Sequence, residues 1–327
     1  EVLRKKGEAT AVKKSGRIAA EGVVATLVED GKAAIVEVNS ETDFVAKNEK
    51  FQTFVANVVK QIVNSDAADV EALYAEPWAL DTAKTVKDEL TSQIAVIGEN
   101  MNIRRFKKIV SDGVVVSYIH AGGKIGVLVE ADAQANETVE ASMKTIAMQI
   151  AAMSPQYISR DDISDDELAK MREITIDSAL NDVASLPKPI QKDIFAEALS
   201  TDALNAEDKA ILEEKQNDKY LFNFLSKEAI ASLAAISMSK KEEICANKIF
   251  NGLVEGRVSK QLKEVCLLDQ TYVMAADGKQ TVKAYLAEVS KEVGAPVALK
   301  SFIRFETGEG IEKKEEDFAA EVAKQMQ

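Results

Sequence analysis

Few residues of this chain could carry covalent chemistry. Its 327 residues include one histidine, His120, and two cysteines, Cys245 and Cys266, which have no close spacing and no companion histidines. A cysteine–histidine zinc cluster is therefore excluded, and a cysteine-protease dyad would have to use this single histidine. The two cysteines are typical of reduced residues in an intracellular protein, not of a disulfide framework.

His120 has three interpretations. It follows the apolar run 114–119 and precedes Ala121-Gly122-Gly123, which puts it at the tip of a predicted hairpin. As the general base of a hydrolase it would need a nucleophile and an orienting acid, and its neighbours in the sequence supply neither. The other two interpretations are a contact to a partner protein and a structural role.

The remaining signatures of enzymes are also missing. Gly308-Glu309-Gly310 lacks the third glycine of a dinucleotide-binding loop and the lysine–hydroxyl pair of a P-loop. The many Asp and Glu residues follow solvated helix faces, so their spacing does not indicate a paired-carboxylate hydrolase. We therefore predict a binding protein and not an enzyme, with no catalytic residue, no cofactor and no metal site.

One polar stretch, Asn39–Asn48, carries a single large aromatic residue, Phe44. It lies between an apolar β-branched run and a helical pattern that includes Phe51. Phe44 could continue the buried stripe of that helix, two turns earlier. Alternatively, Lys47 and Asn48 interrupt the stripe, and Phe44 is held outward as an anchor for a partner. The residue pattern leaves both interpretations open.

Composition favours a globular protein, with 46% hydrophobic residues. The net charge of −13 argues against a nucleic-acid-binding surface spread over the molecule, and no apolar run reaches the roughly 20 residues of a membrane span. The opening is basic, which indicates a solvated helix or a surface for an acidic partner: Arg4, Lys5, Lys6, Lys13, Lys14 and Arg17. Because the first residue is not Met and no secretory signal follows, we expect a truncated or processed form.

Hydrophobic periodicity predicts a duplicated unit of strands and helices. The first copy has strands at 22–28 and 33–38 joined by Asp30-Gly31, a helix from Asn48, a short helix at 70–74, a helix at 82–96 and a strand at 101–110. The second copy has strands at 114–120 and 125–130, a helix spanning Val139 to Ile150, and a strand at Ser301–Glu306 that comes much later.

The predicted fold class is α+β, with two related subdomains, each a small antiparallel three-stranded sheet with helices. An inserted antiparallel helical region, with helices at 165–179, 190–199 and 239–252 continuing toward Leu262, and a C-terminal helix at 309–322 complete the chain. The expected segments are a basic helical tail at 1–20, an N-terminal subdomain at 21–112, a C-terminal subdomain at 113–180 and 262–310, the insertion at 181–261 and a docking helix at 311–327.

Several motifs resemble one known family. The stretch Glu41-Thr42-Asp43-Phe44-Val45-Ala46-Lys47-Asn48 closely resembles the signature of the translation elongation factor Ts family, the guanine nucleotide exchange factors of the GTPase elongation factor Tu. Further similar stretches follow in the family's order and cover most of the chain: 97–105, 117–120, 124–129, 253–257, 266–270, 302–306 and 308–312.

The resemblance implies how the polar stretch acts. Asp43 and Phe44, flanked by Thr42 and Val45, would form a wedge that pushes into the GTPase near its magnesium and phosphate site. His120 is similar to a family histidine that contributes to partner contact.

Two further contacts are implied near the end of the chain. Val273 and Met274 fall where the family contacts a β-barrel domain of the GTPase. Phe318 and Val322 lie in a terminal helix that resembles the module docking on the GTP-binding domain. The insertion matches the family's protruding antiparallel coiled coil.

The resemblance also implies a cytoplasmic protein whose partner is GDP-bound elongation factor Tu, without direct contact to nucleic acid or membrane. Two features depart from the family. Its members usually begin with a three-helix module that would end at Leu3–Gly7, and the insertion is longer than usual between 183 and 240. The alternative functions are a non-exchanging helical scaffold or chaperone-like binding protein and, in another class, a hydrolase using His120.

Overall fold

The computed structural model describes residues 2–312, with side chains from Gly7 onward. These residues form two compact units: the first contains the chain up to Ile158 and from Thr271 onward, and the second is Ser159–Gln270. The fold class is α+β with small antiparallel three-stranded sheets, as predicted. No helix in the described part of the chain is long and apolar enough to cross a membrane.

The helices and strands follow one another in this order: α1 (Val2–Lys14), β1 (Glu21–Glu29), β2 (Lys32–Ser40), α2 (Asp43–Ala46), α3 (Glu49–Asn64), α4 (Val70–Ala75), β3 (Pro77–Trp78), β4 (Asp81–Thr85), α5 (Val86–Ile97), β5 (Met101–Val110), β6 (Val114–His120), β7 (Ile125–Asp132), α6 (Glu137–Met153), α7 (Asp165–Asn181), α8 (Lys188–Ser200), α9 (Ala206–Lys215), α10 (Lys227–Ser239), α11 (Lys241–Cys245), α12 (Lys248–Val265), α13 (Val282–Val293) and β8 (Ala298–Glu306).

The first sheet has the strand order β1-β2-β5, with antiparallel neighbours. Asp30 and Gly31 connect β1 to β2 with φ values of 46° and 74°, the positive angles of the tight primed turn that this dipeptide favours. Helix α3 packs on the sheet through the stripe that its sequence predicts, and its buried residues are Phe51, Phe54, Val55, Val58, Val59, Ile62 and Val63. Asn48 caps this helix by accepting from the amide of Lys50 at 2.9 Å.

The helix predicted at 82–96 begins later than expected. Asp81–Thr85 is strand β4, paired with the short β3, and α5 starts only at Val86. Thr85 and Asp88 form a capping box, since the hydroxyl of Thr85 accepts from the Asp88 amide and the carboxylate of Asp88 accepts from the Thr85 amide. This local cap fixes the start of the helix where hydrophobic periodicity cannot. Gly98, with φ of 88°, ends it as predicted.

The second sheet repeats the first with the order β6-β7-β8. Strand β8 pairs antiparallel with β7, so the late strand predicted at Ser301–Glu306 completes this sheet. Helix α6 packs on β6 and β7 as predicted, whereas no prediction covered α13, which contacts α6.

The two sheets pack on each other within the first unit. Their shared apolar cluster consists of Val24, Ala33, Ile35, Ile109, Leu128 and Phe305. Gly126 permits this close approach because a Cβ atom there would lie 2.4 Å from Val24 Cγ1. The two sheets are therefore joined by an apolar interface that is distinct from the core beneath α3 and that the pattern of each repeat did not predict.

The second unit is helical, as predicted. Its helices are α7 to α12. The helix predicted from 239 is interrupted: α11 ends at Cys245, and Asn247 caps α12 by accepting from the amide of Ile249 at 2.8 Å. The boundaries of these two compact units differ from those of the five predicted segments. The five segments therefore stay a prediction. The closing helix predicted at 309–322 extends outside the described residues, which end in a turn at 307–310 and two further residues.

Candidate partner-binding site

The polar stretch Asn39–Asn48 contains a four-residue helix between β2 and α3. Strand β2 ends at Ser40, and Thr42, with extended backbone angles of −124° and 156°, is the N-cap of α2. The Thr42 hydroxyl accepts from the amide of Val45 at 3.3 Å. Asn48 then begins α3 directly, so α2 is a separate short turn and not an early part of the long helix.

This separation places Phe44 in solvent. Its side chain is 80% exposed, whereas Ala46 is buried and Val45 packs against the core of the first sheet. The buried stripe of α3 starts only at Phe51. The interpretation of Phe44 as a core residue is therefore wrong, and the interpretation as an outward-held side chain agrees with the structure.

Asp43 carries a negative charge beside this aromatic ring. Lys47 Nζ donates to Asp43 Oδ2 at 2.7 Å across one helical turn, and both side chains are largely exposed. The hydrogen bond and charge of Lys47, with a smaller contribution from Lys124, hold the pKa of Asp43 below its usual value. The turn therefore presents an apolar ring and a carboxylate side by side near neutral pH.

A second loop holds the Thr42 turn. The carboxylate of Glu99, two residues before β5, accepts from the amides of Glu41 and Thr42 at 3.1 and 3.0 Å and from the Thr42 hydroxyl at 2.6 Å. The site prediction did not include Glu99. The only signal in the sequence was its position within the similar stretch 97–105, because local periodicity cannot show that it meets residues 41 and 42.

The hairpin tip that carries His120 lies along the same edge of the unit. Val24 donates its amide to the carbonyl of Gly123 at 2.7 Å, and Lys124 donates to Glu21 at 2.5 Å. Glu21 is paired with Ser40 at the end of β2, two residues before Thr42. The hairpin tip and the Thr42 turn are therefore neighbours, which is why the charge of Lys124 helps to lower the pKa of Asp43.

His120 itself is exposed at the end of β6. Its Nδ1 is 2.9 Å from the hydroxyl of Tyr118, and the two ring centroids are 5.9 Å apart. Tyr118 therefore occupies the position on the imidazole where a hydrolase would place an orienting carboxylate. The hydrogen bond to Tyr118 holds the ring at the tip, and no acidic side chain from 7 to 312 is hydrogen-bonded to it.

Val273 and Met274 lie on a different part of the unit. Both are exposed, while the preceding Tyr272 is buried and stacks on Tyr285 of α13 with centroids 4.1 Å apart. Burial raises the pKa of Tyr272 to about 12. The Val273 amide donates to Gln149 of α6 at 2.7 Å, so the loop is held by α6 and α13 and not by the turn that carries Phe44.

The remaining predicted contacts, Phe318 and Val322, lie outside the described residues. Among residues 2–312, no group of three or more His, Cys, Asp or Glu side chains is arranged to hold a metal ion. The candidate site that the structure describes is an exposed aromatic turn beside the hairpin tip that carries His120.

Comparison with known proteins identifies the family of the chain. The family model described as Elongation factor TS matches residues 41–309, which is most of the chain. The chain is similar to elongation factor Ts of Clostridium tetani, with 41% identity over all of this chain and 88% of that protein. It is 42% identical to elongation factor Ts of Clostridium novyi, over all of this chain and 87% of the relative, and 43% identical to that of Clostridium kluyveri, over all of this chain and 88% of the relative. This chain belongs to the elongation factor Ts family.

Proposed function

We propose that this chain is a guanine nucleotide exchange factor in translation elongation, which binds elongation factor Tu in its GDP-bound form and promotes the release of GDP. Membership of the elongation factor Ts family supports the exchange role. The observation that carries the residue-level proposal is the 80% exposure of Phe44 on a short helix whose next two residues pack inward.

The proposed mechanism is physical displacement. Bound GDP is held chiefly through its phosphates and Mg²⁺. Phe44 enters the GTPase near that site and displaces groups that hold the metal, while Asp43 brings negative charge close to the phosphates. Because binding of the factor and of the nucleotide are linked, each weakens the other. No covalent step is required of this chain.

The interaction free energy that one aromatic side chain can supply is large enough to accelerate the release of GDP. A well-packed aromatic anchor contributes roughly 2–4 kcal/mol at a protein interface. Each ~1.4 kcal/mol removed from a barrier speeds the step about tenfold. Phe44 alone would therefore account for roughly a hundredfold faster release of GDP.

The other predicted contacts would supply affinity. His120 lies on the tip next to the wedge and would contact the same partner surface, whereas Val273 and Met274 form a second exposed patch that would engage a β-barrel domain of the GTPase. Phe318 and Val322 would dock on its GTP-binding domain. We assign this activity to the cytoplasm, without direct contact to nucleic acid or membrane.

Release of fluorescent GDP from preloaded elongation factor Tu tests the function. Addition of this protein should accelerate release in proportion to its concentration until the complex saturates. Unchanged release together with detectable binding would favour the alternative of a non-exchanging scaffold or chaperone-like protein. Hydrolysis of an ester or peptide substrate that is lost in His120→Ala would instead favour the hydrolase alternative.

A further inference from the structure

We propose that Glu99 is a positioning residue for nucleotide exchange, which fixes Phe44 in its outward orientation before the partner binds. The inference rests on the proposed role of Phe44 as the wedge. The hydrogen bonds of Glu99 reach the backbone and the hydroxyl of the Thr42 turn, and its effect on Phe44 passes through them.

The first step is the capture of two backbone amides. Strand β2 ends at Ser40, so the amides of Glu41 and Thr42 lie beyond its ladder and need other acceptors. One carboxylate oxygen of Glu99, Oε2, accepts from both, at 3.1 and 3.0 Å. The direction in which the chain leaves the sheet is thereby fixed by a residue from the loop between α5 and β5.

The hydroxyl of Thr42 then links Glu99 to the start of α2. The Thr42 hydroxyl donates to Glu99 Oε1 at 2.6 Å, which leaves its lone pairs free to accept from the Val45 amide at 3.3 Å. That second bond caps α2. A helix of four residues has too few internal hydrogen bonds to hold itself, so its geometry depends on such external contacts.

A reciprocal contact locks the two loops together. The carboxylate of Glu41 accepts from the Asn100 amide at 2.6 Å, while Glu99 accepts from the Glu41 amide. Gly98, in the left-handed conformation with φ of 88°, turns the chain so that Glu99 faces the Thr42 turn. Each loop therefore supplies a carboxylate to the backbone of the other.

The consequence for exchange is pre-organisation. With the turn fixed, Phe44 enters the partner without first losing the conformational freedom of a mobile loop. Without the Glu99 carboxylate, the ring is still present but is spread over several orientations. We expect Glu99→Ala to slow GDP release about tenfold at equal protein concentration, which corresponds to ~1.4 kcal/mol.

A double-mutant cycle separates this positioning role from a general structural one. Release of fluorescent GDP from elongation factor Tu would be measured with the parent chain, Glu99→Ala, Phe44→Ala and the double variant. If Glu99 acts through Phe44, the double variant is as slow as Phe44→Ala alone. Glu288→Ala, which removes an exposed carboxylate from α13, is the matched control and should exchange at the parental rate.

The outcomes are distinguishable. Glu99→Ala exchanging at the parental rate, or slowing release equally in the presence and absence of Phe44, would overturn the inference while leaving the wedge intact. Phe44→Ala exchanging at the parental rate would overturn the proposed function and the inference together. Glu99→Gln, which keeps an acceptor for the two amides but faces the Thr42 hydroxyl with a donor, should fold as the parent does and give an intermediate rate. A parental rate in this variant would also contradict the relay.

Discussion

The amide of Gly308 donates to Oε1 of Glu37 at 2.8 Å, although the two residues lie at opposite ends of the first unit's sequence. Glu37 is in β2 of the first sheet, and Gly308 follows β8 of the second. The same carboxylate accepts from Arg105 Nε at 2.6 Å and from Arg104 Nη1 at 3.1 Å. One fully buried acid therefore links the two sheets through charged hydrogen bonds.

Glu37→Gln should destabilise the first unit by about 3 kcal/mol at pH 7, because it removes one partner of a buried charge cluster. Burial alone would raise the pKa of Glu37, but the hydrogen bonds from Gly308, Asn39 and Arg105 together lower it. A lowered pKa in the folded state stabilises the protein above the ordinary value of 4.5, and this stabilisation is lost as the pH falls through the folded-state pKa. Urea unfolding at several pH values measures the difference.

Glu309→Gln is the matched control for this substitution, since Glu309 also pairs with Arg105 but is exposed. Its loss should change the free energy of unfolding by less than about 1 kcal/mol. If the two variants unfold at the same urea concentration, or if the Glu37→Gln effect does not shrink below pH 4.5, the buried link does not stabilise the unit as described.

Gly308→Ala should lower the free energy of unfolding by more than the strain of a left-handed backbone angle alone. Gly308 has φ of 75°, and a Cβ atom there would lie 2.2 Å from the carbonyl oxygen of Ala20. Gly278 has a similar φ of 63° with open space around it. We expect about 1 kcal/mol for Gly278→Ala and roughly 2–4 kcal/mol for Gly308→Ala by thermal or urea unfolding. Equal losses would show that Ala20 does not limit the space at Gly308.

Thr42→Val should slow exchange, whereas Thr42→Ser should not. Valine keeps the shape of threonine but removes the hydroxyl that joins Glu99 to the Val45 amide. Loss of an N-cap of this kind costs about 1 kcal/mol, so GDP release should slow roughly fivefold. Serine preserves both hydrogen bonds and should exchange within about twofold of the parent. The opposite order of the two variants would rule out the hydroxyl as the link.

The repeated secondary structure could be predicted because it rests on local patterns. The Asp30-Gly31 turn and the buried stripe from Phe51 to Ile62 follow from turn chemistry and periodicity, and the late strand near Phe302 follows from its likeness to the third strand of the first copy. The start of α5 could not, because the capping box of Thr85 outweighs a helical pattern that extends several residues further back.

The exposure of Phe44 depends on contacts distant in sequence, so periodicity left it undecided. Asn48 separates the turn from α3 locally, but the turn is held by the cap at Thr42 and by the carboxylate of Glu99, which is far along the chain. The turn and the His120 tip lie close together because one sheet packs on the other, and contacts such as that of Lys124 with Glu21 join them. Periodicity cannot predict this either.

Met274→Ala should weaken binding to nucleotide-free elongation factor Tu without altering the stability of the free protein. Met274 is exposed on a loop whose anchor is the buried Tyr272, so its side chain is available to a partner. We expect the dissociation constant, measured by isothermal titration calorimetry, to rise about fivefold to tenfold. Met153, exposed to a similar extent at the end of α6, is the matched control and should bind as the parent when changed to alanine. Equal affinity of both variants would remove Met274 from the interface.

The ring of Phe44 is the proposed driver of GDP release, and Phe44→Ala removes it. Phe224 is also exposed, at 49%, but lies in the second unit, so Phe224→Ala removes a ring of the same kind from a surface without a proposed role. Both variants should fold, and Phe44→Ala should unfold at the parental temperature because its ring is 80% exposed. With elongation factor Tu preloaded with fluorescent GDP, we predict that Phe44→Ala releases nucleotide about a hundredfold more slowly than the parent, while Phe224→Ala matches the parent. Release by Phe44→Ala at the parental rate would show that the ring does not drive the release of GDP.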